Sequence, residues 1–450
     1  MMAGMAKSRI EHVCGDCGAT HTKWAGQCSS CGQWNTLVEE VAVASAPTIP
    51  AAGPASRIGD VDPLTSRPRA TCIGELDRVL GGGLVAGSVT LLGGEPGIGK
   101  STLLLQLLAA FGGTALYVTA EESAQQVRLR AERLDAVRPD LWLLAETALP
   151  HILASIDDTK PDIVVIDSVQ TVHDPALGSP PGSVVQVRGC AQQLVNRAKQ
   201  RGVPVVLVGH VTKEGSLAGP RVLEHLVDTV LSFEGERHHA LRLLRATKHR
   251  FGPTNELGLF EMVGHGLEGV PDPSELFLGD RRTGIPGSAV APTIDGQRPL
   301  LVEVQALTTP APPNVPARRT TQGIDSNRLA LLLAVLQQRA RIPTSQTDVY
   351  ASTVGGVRLA EPGLDLAACL AIVSAMNDRP LPADMAVFGE VGLGGEIRQV
   401  AHTPRRLAEA ARLGFRRVIG PRSAPDPDDA HLHLLRAATL PEALAAAGLT

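Results

Sequence analysis

Residues 94 to 101 combine three glycines with a lysine and a serine at the spacing of a phosphate-binding loop. The segment GEPGIGKS matches GxxxxGK[ST], directly after the apolar stretch SVTLLGG and directly before TLLLQLLAAF. Such a loop turns backbone N–H groups toward phosphate oxygens, while its lysine reaches the β and γ phosphates and its hydroxyl binds Mg²⁺. The apolar context argues against a glycine-rich turn with an accidental lysine. The predicted ATP-binding set is Gly94, Glu95, Pro96, Gly97, Ile98, Gly99, Lys100, Ser101 and Thr102.

Acidic residues and a histidine stand where predicted strands end. Asp167 ends an apolar run and is expected to hold Mg²⁺ together with Ser101, with helix capping as the alternative. Glu121 follows ALYVTA and is predicted to polarise the attacking water, with Glu122 as a rival; either acid would also favour a helix start. His210 ends VVLVGH, a position that suits phosphate sensing, although lone histidines at strand ends are more often structural.

Four of the seven cysteines form two CxxC knuckles, Cys14 with Cys17 and Cys28 with Cys31. Four thiolates close a tetrahedral Zn²⁺ site with no open position, so the predicted zinc is structural. So short a unit has little other core, and the metal should supply its folding energy. Disulfides are the alternative, which a cytosolic chain disfavours. The lone cysteines are predicted to be buried apolar residues: Cys72, Cys190 and Cys369.

Charge gives little sign of a nucleic-acid partner. The net charge of −4 and an aromatic content of 3% leave DNA binding to local basic patches. The segment Thr212 to Arg221 carries Lys213 and two glycines after a predicted core strand. Lys213 and Arg221 are therefore candidates for tracking a DNA backbone, although a plain surface loop explains the segment equally well.

A length of 450 residues indicates two substantial domains with small appendages. The first residues show no apolar stretch of signal-peptide length, and no apolar run reaches the length of a membrane span. We therefore expect a cytoplasmic protein without a membrane segment.

The order of predicted elements divides the chain. After the cysteine-rich unit at 11–40, residues 41–57 are rich in alanine, proline and serine and are predicted to be a linker. Strands and helices then alternate, which indicates a mainly parallel sheet, and residues 229 to 262 indicate an antiparallel extension. This core is assigned to 58–270 and a C-terminal domain to 271–450, with its proline-rich stretch TTPAPPNVPARRTTQG as a surface loop.

Taken together, these segments resemble the bacterial RadA family, also called Sms, over nearly the whole chain. The resemblance is carried by the knuckle unit, LDRVLGGGLVAGSVTLLGGEPGIGKSTLLLQ, YVTAEES, VVIDSVQT and GHVTKEG. The family's KNRFG motif stands here as KHRFG, with His249 in place of asparagine between Lys248 and Arg250. The implied fold class is α/β, a RecA-like P-loop ATPase core with a small N-terminal zinc ribbon and an α+β C-terminal domain similar to the proteolytic domain of Lon.

The resemblance implies a DNA-dependent ATPase that acts on single-stranded or branched DNA in recombination and repair. It implies a homo-hexameric ring similar to DnaB-type helicases, which drives branch migration, with recombinase or replication proteins as possible partners. It also implies that Lys248 or Arg250 acts on ATP or DNA at a subunit boundary, because a cation supplied in trans stabilises charge on the γ phosphate.

Lon proteases use a serine and lysine pair, and the ungapped match places Gly363 and Pro404 at those two positions. Neither side chain performs that chemistry, so the domain is predicted to be proteolytically inactive. Two other functions stay open: a RecA-type regulatory ATPase that acts on a protein partner and, less favoured, a Lon-like protease.

Overall fold

The computed structural model describes residues 9–42, 57–58, 67–210, 222–235, 240–312, 315–354 and 361–450. Contacts divide the chain into two compact units, Met1–Val270 and Pro271–Thr450. We number the strands β1 to β23 and the helices α1 to α11 in chain order. None of the helices in these ranges combines the length and apolarity needed to cross a membrane.

The N-terminal ribbon is a three-stranded antiparallel sheet in the order β2-β1-β3. Its strands are β1 (Arg9–Cys14), β2 (Thr20–His21) and β3 (Leu37–Ala42). Among the described residues of the ribbon, the buried apolar cluster consists of Cys14, Cys28 and Leu37. Because so little surface is buried, the cysteine cluster must supply most of the stability of the ribbon.

A nine-stranded sheet in the order β14-β13-β12-β11-β6-β10-β9-β7-β8 forms the centre of the first unit. Its strands are β6 (Val89–Gly94), β7 (Ala115–Thr119), β8 (Leu141–Ala145), β9 (Ile163–Asp167), β10 (Val205–His210), β11 (Thr229–Glu234), β12 (Leu241–His249), β13 (Leu257–Val263) and β14 (Gly266–Gly269). A further small ladder joins β4 (Pro68–Arg69) to β5 (Leu84–Val85).

Helices cover both faces of this sheet, and two separate apolar clusters result. They are α1 (Gly74–Val79), α2 (Lys100–Ala110), α3 (Ala124–Arg133), α4 (Leu149–Thr159), α5 (Val184–Arg201) and α6 (Val222–Leu226). Burial on both faces explains why the central strands are apolar without alternation. The predicted strand and helix alternation is confirmed here. The antiparallel part starts only at β12, because β11 still runs parallel to β6.

The second unit contains a mixed seven-stranded sheet in the order β17-β18-β16-β15-β19-β22-β23. Its strands are β15 (Ser288–Asp295), β16 (Arg298–Pro310), β17 (Arg319–Gln322), β18 (Thr347–Thr353), β19 (Met385–Val387), β22 (Arg417–Pro421) and β23 (His433–Ala437), and a two-stranded ladder joins β20 (Glu390–Val391) to β21 (Ile397–Arg398). Its helices are α7 (Pro273–Leu278), α8 (Ser326–Arg339), α9 (Asp365–Met376), α10 (Thr403–Arg412) and α11 (Leu440–Ala446).

Two local expectations differ from the structure. The proline-rich stretch is not wholly a loop, since β16 continues to Pro310 and Arg319–Gln322 forms β17. Cys72 is exposed, whereas Cys190 and Cys369 are buried as predicted. Cys72 has a φ of 65° in the turn that precedes α1, a conformation set by the backbone rather than by the need to bury a small side chain.

Candidate functional site: a phosphate-binding loop with a paired acid

The phosphate-binding loop joins β6 to α2 at the carboxyl end of the parallel strands. Gly97 and Gly99 adopt φ angles of 81° and 115°, which side chains with a Cβ rarely tolerate, so the pattern needs glycine there. The Lys100 ammonium donates to the carbonyl oxygens of Gly94 at 2.7 Å and Glu95 at 2.9 Å. Burial lowers the pKa of Lys100, while the carboxylates of Asp167 and Glu121 oppose that shift. The lysine is thus held inside the loop, at the position where phosphates are bound.

Asp167 is the last residue of β9 and lies beside the phosphate-binding loop. Its Oδ2 accepts hydrogen bonds from the Ser101 hydroxyl at 2.6 Å and from the Tyr117 hydroxyl at 2.7 Å. The serine and the carboxylate are the two groups that share the coordination shell of Mg²⁺ in P-loop ATPases. Their direct contact shows that the donor set fits that cation, which requires oxygen ligands.

The two neighbouring acids after β7 have different partners. Glu122 is held by Arg130, whose two terminal nitrogens donate to its oxygens at 2.7 and 2.9 Å. This hydrogen bonding raises the pKa of Arg130. Glu121 instead accepts a hydrogen bond from the Ser168 hydroxyl, directly after Asp167. The arrangement favours Glu121 as the acid that orients water, because the Glu122 carboxylate is engaged by a guanidinium.

Helix α3 supplies the basic residues of the site. Ser123 and Gln126 form a reciprocal capping box at its first turn, which fixes the start of the helix. Arg130 and Arg133 then face the cavity two turns later. The sequence analysis assigned no role to the two arginines or to Tyr117, although Tyr117 is the first residue of YVTAEES. The capping box was the available signal for where the helix begins.

These residues enclose a cavity of about 360 Å³. It is lined by Pro96, Gly97, Gly99, Lys100, Ser101, Thr102, Thr119, Glu121, Glu122, Arg130, Arg133 and Asp167. Gly94 and Glu95 contribute the carbonyl oxygens that hold Lys100, and Ile98 is buried in the core behind the loop. The cavity therefore combines phosphate-binding, metal-binding and acidic groups in one place.

The basic residues of the KHRFG segment lie at the edge of the sheet where β6 and β11 begin, opposite the phosphate-binding loop. Strand β11 pairs Phe233 with Gly94 of the loop, but it pairs Thr229 with Thr90 and with His249. These two pairing positions on β11 are four residues apart, which corresponds to roughly 13 Å along the strand. Lys248 and Arg250 are thus remote from the phosphate-binding loop of their own chain.

Local contacts hold both cations of this segment. The Lys248 ammonium donates to the carbonyl oxygens of Glu224 at 2.6 Å and Val227 at 2.7 Å, where α6 ends. Arg250 donates to Asp228 Oδ1 at 3.2 Å, and its side chain is 52% exposed. Burial lowers the pKa of Lys248, and the nearby charge of Arg250 lowers it further. Arg250 is therefore the more accessible cation of the pair.

His249 packs within its own strand pair. Its Nδ1 lies 3.1 Å from the Thr229 hydroxyl, and its ring meets Phe251 edge to face at 6.3 Å. Of the other predicted residues, Lys213 and Arg221 lie outside the described residues. The backbone of His210 pairs with Gly94 in the parallel register, which places this strand end next to the loop.

The four clustered cysteines converge in the ribbon. Their sulfur atoms all lie within 4.8 Å of one another, with 3.7 Å between Cys14 and Cys31 and between Cys17 and Cys28. Thiolates bound tetrahedrally to one zinc ion are separated by about 3.8 Å, as follows from Zn–S bonds of about 2.3 Å. The geometry thus fits one closed zinc site and does not require disulfides.

The Gly363 and Pro404 region of the second unit contains an ion pair in place of a serine and lysine. Arg406 is 1% exposed and donates to both oxygens of Glu361. A Cβ at Gly363 would lie 2.6 Å from a Glu361 oxygen and 3.0 Å from an Arg406 nitrogen. A nucleophilic side chain at Gly363 would therefore clash with this pair.

Known proteins match the chain along its length. A family model described as an AAA domain matches residues 69–216, and one described as a rubredoxin metal binding domain matches residues 12–39. The DNA repair protein RadA of Pseudomonas aeruginosa is 51% identical over 449 residues, covering 98% of this chain and 99% of its own length. Those of Bacillus subtilis and Brucella abortus are 49% and 47% identical, each covering at least 93% of both chains.

The sheet, the phosphate-binding loop and the cysteine cluster define a RecA-like P-loop ATPase with an N-terminal zinc ribbon. The relatives that match nearly the whole chain form one family within this class. The chain belongs to the family of DNA repair protein RadA.

Proposed function

We propose that this protein is a DNA-stimulated ATPase that remodels recombination intermediates. The activity would be branch migration, with helicase action like that of DnaB, in homologous recombination and DNA repair. The observation that carries the proposal is the complete phosphate, metal and acid site in a chain about half identical to RadA proteins along its whole length. A protein-directed regulatory ATPase would retain the same site, so DNA stimulation is the property that separates the two functions.

The hydrolytic step follows from the groups in the cavity. Mg²⁺, held by Ser101 and Asp167, would neutralise phosphate charge. Lys100 binds the β and γ phosphates, and Glu121 orients a water molecule and accepts its proton. The water oxygen bonds to the γ phosphorus as the bond to the bridging oxygen of ADP breaks. The products are ADP and inorganic phosphate.

The remote position of the KHRFG segment supports a role between subunits. Arg250 is half exposed and lies at the opposite end of the sheet from the loop of its own chain. A homo-hexameric ring would bring this cation to the nucleotide of a neighbour, so that hydrolysis depends on assembly. Lys248 would act mainly by supporting the segment, because two carbonyl oxygens already hold its ammonium.

We assign the C-terminal unit an assembly and DNA-contacting role rather than proteolysis. The Glu361 and Arg406 ion pair occupies the region where the Lon-like register would place a nucleophile. The exposed Trp24 and Trp34 of the zinc ribbon would suit contact with a recombinase or replication protein.

The direct test measures ATP turnover without DNA, with single-stranded DNA and with branched DNA, together with branch migration on a labelled junction. We expect DNA to raise turnover, and Lys100→Ala to abolish it without unfolding the chain, which a thermal melting curve checks. Turnover that responds to no DNA would reject the motor function in favour of a protein-directed ATPase. Undiminished turnover in a folded Lys100→Ala variant would reject the site itself.

A further inference from the structure

Tyr117 brings a buried hydroxyl to the acid of the magnesium site. It lies on β7, one strand away from Asp167, and is 1% exposed. Its hydroxyl donates to Asp167 Oδ2 at 2.7 Å. A phenol buried in an apolar core needs a hydrogen-bond partner, and Asp167 provides it here.

We infer that Tyr117 is a positioning residue for magnesium binding, which holds the Asp167 carboxylate in the orientation that the cation requires. The inference rests on the proposed ATPase site. Tyr117 and Ser101 both donate to Oδ2, at 2.7 and 2.6 Å. Two donors on one oxygen fix the plane of the carboxylate and direct Oδ1 away from them. The Asp167 carboxylate is then held in one orientation when Mg²⁺ and its other ligands bind.

The serine is not a sufficient support by itself. Its oxygen must bind Mg²⁺ when ATP is present, and Ser101 lies in the first turn of α2, beside the loop that binds the phosphates. Tyr117 lies in the core of the sheet, where neighbouring apolar side chains restrict its ring. The phenol is therefore a fixed donor to Asp167.

The test separates nucleotide binding from its dependence on metal. Tyr117→Phe keeps the ring and removes only the hydroxyl. We expect the half-saturating Mg²⁺ concentration for ATP binding to rise roughly tenfold, the usual scale for losing a hydrogen bond to a charged group. Affinity for ATP in the presence of a chelator should not change. Both quantities are measured by calorimetry or with a fluorescent nucleotide, without any turnover.

Tyr350→Phe is the matched control, because the chain has only two tyrosines and Tyr350 lies in the other unit. It should leave the Mg²⁺ dependence unchanged. Global replacement of tyrosine by 3-fluorotyrosine adds a second measurement that needs no folded Tyr117→Phe variant. Two fluorine resonances are expected, assigned with Tyr350→Phe, and that of Tyr117 should shift when Mg²⁺ is added to the ATP-bound protein.

Equal Mg²⁺ dependence in Tyr117→Phe and the parent would overturn the positioning role. An equal loss of ATP affinity with and without metal would also overturn it, because that result would indicate a packing role alone. A Tyr117 fluorine resonance that does not shift when Mg²⁺ is added would overturn it as well. If the parent itself showed no Mg²⁺-dependent gain in ATP affinity, the proposed ATPase site would fail instead.

Discussion

At the residue scale, two adjacent glutamates have side chains of one type but different partners. Glu121 lies against Ser168, beside the metal-binding acid, whereas Glu122 is held by both terminal nitrogens of Arg130. The paired guanidinium stabilises the Glu122 carboxylate and occupies the oxygens with which it would bind a water molecule. We therefore expect the partners of these two acids, rather than their residue type, to decide which of them orients water.

Glu121→Gln and Glu122→Gln form a matched pair of variants that tests this division. We expect Glu121→Gln to lower the rate of hydrolysis by about 100-fold or more with ATP affinity nearly unchanged, because proton acceptance is lost. Glu122→Gln should lower it by less than about tenfold. Single-turnover hydrolysis and ATP binding are measured for both. The opposite ranking would assign the water-orienting role to Glu122.

At the scale of elements, side chains at the end of β12 stabilise the turn between α6 and β11. Lys248 reaches back to two carbonyl oxygens at the end of α6, and Asp228 accepts from the Val89 amide at 3.0 Å as well as from Arg250. A cation at a helix C-terminus stabilises carbonyls that have no partner within the helix. The KHRFG segment is therefore part of the architecture of the sheet as well as a source of charge.

Lys248→Met should lower the free energy of unfolding by about 1–2 kcal/mol, since the two carbonyl oxygens lose a charged donor. Urea denaturation followed by circular dichroism measures this. Arg128→Met on the exposed side of α3, where Arg128 pairs with Glu132, is the control and should change stability by less than about 0.5 kcal/mol. An unchanged midpoint for Lys248→Met would leave its side chain available for a role in trans.

The whole molecule combines a sheet-centred ATPase unit with a ribbon that has almost no apolar core. Among the described residues, the buried cluster of the ribbon consists of two of the four clustered cysteines and one leucine, whereas the ATPase sheet has an extensive cluster on each face. Hydrogen bonding favours thiolate formation at one of these cysteines. Although burial of the thiol opposes it, backbone amides of Cys31 and Ser30 lower the pKa of Cys28 to about 5.

Replacing Cys28 and Cys31 together with serine should release about one zinc ion per chain, because two ligands cannot close a tetrahedral site. The ribbon should become sensitive to protease while the ATPase core keeps its affinity for ATP. Metal analysis and limited proteolysis measure these effects, with Cys72→Ser as a control that retains zinc. A parent protein without zinc would refute the prediction.

Assembly is tested by mixing two inactive variants. Lys100→Ala subunits keep Arg250, and Arg250→Ala subunits keep a working phosphate-binding loop. If the cation acts in trans, mixed rings should recover ATP turnover that neither variant shows alone. Ring formation by each variant is checked by light scattering. Absence of recovery in mixed rings would favour a role for Arg250 in DNA contact within one subunit.

The sequence by itself determined the local chemistry of the phosphate-binding loop and the zinc ribbon. Gly97 and Gly99 permit a backbone that other residues disfavour, and the spacing of the cysteines matches the needs of one metal ion. The alternating apolar segments likewise predicted the central sheet, because strands buried on both faces need continuous apolar runs. These features depend on residues that are close in the sequence, so they can be predicted from a sequence pattern.

Tertiary structure decided which groups meet. Tyr117 reaches Asp167 across 50 residues of sequence because β7 pairs with β9, and Lys248 reaches the end of α6 because β12 returns along β11. Strand order and register fix these contacts, and they arise from the packing of the whole sheet rather than from any motif.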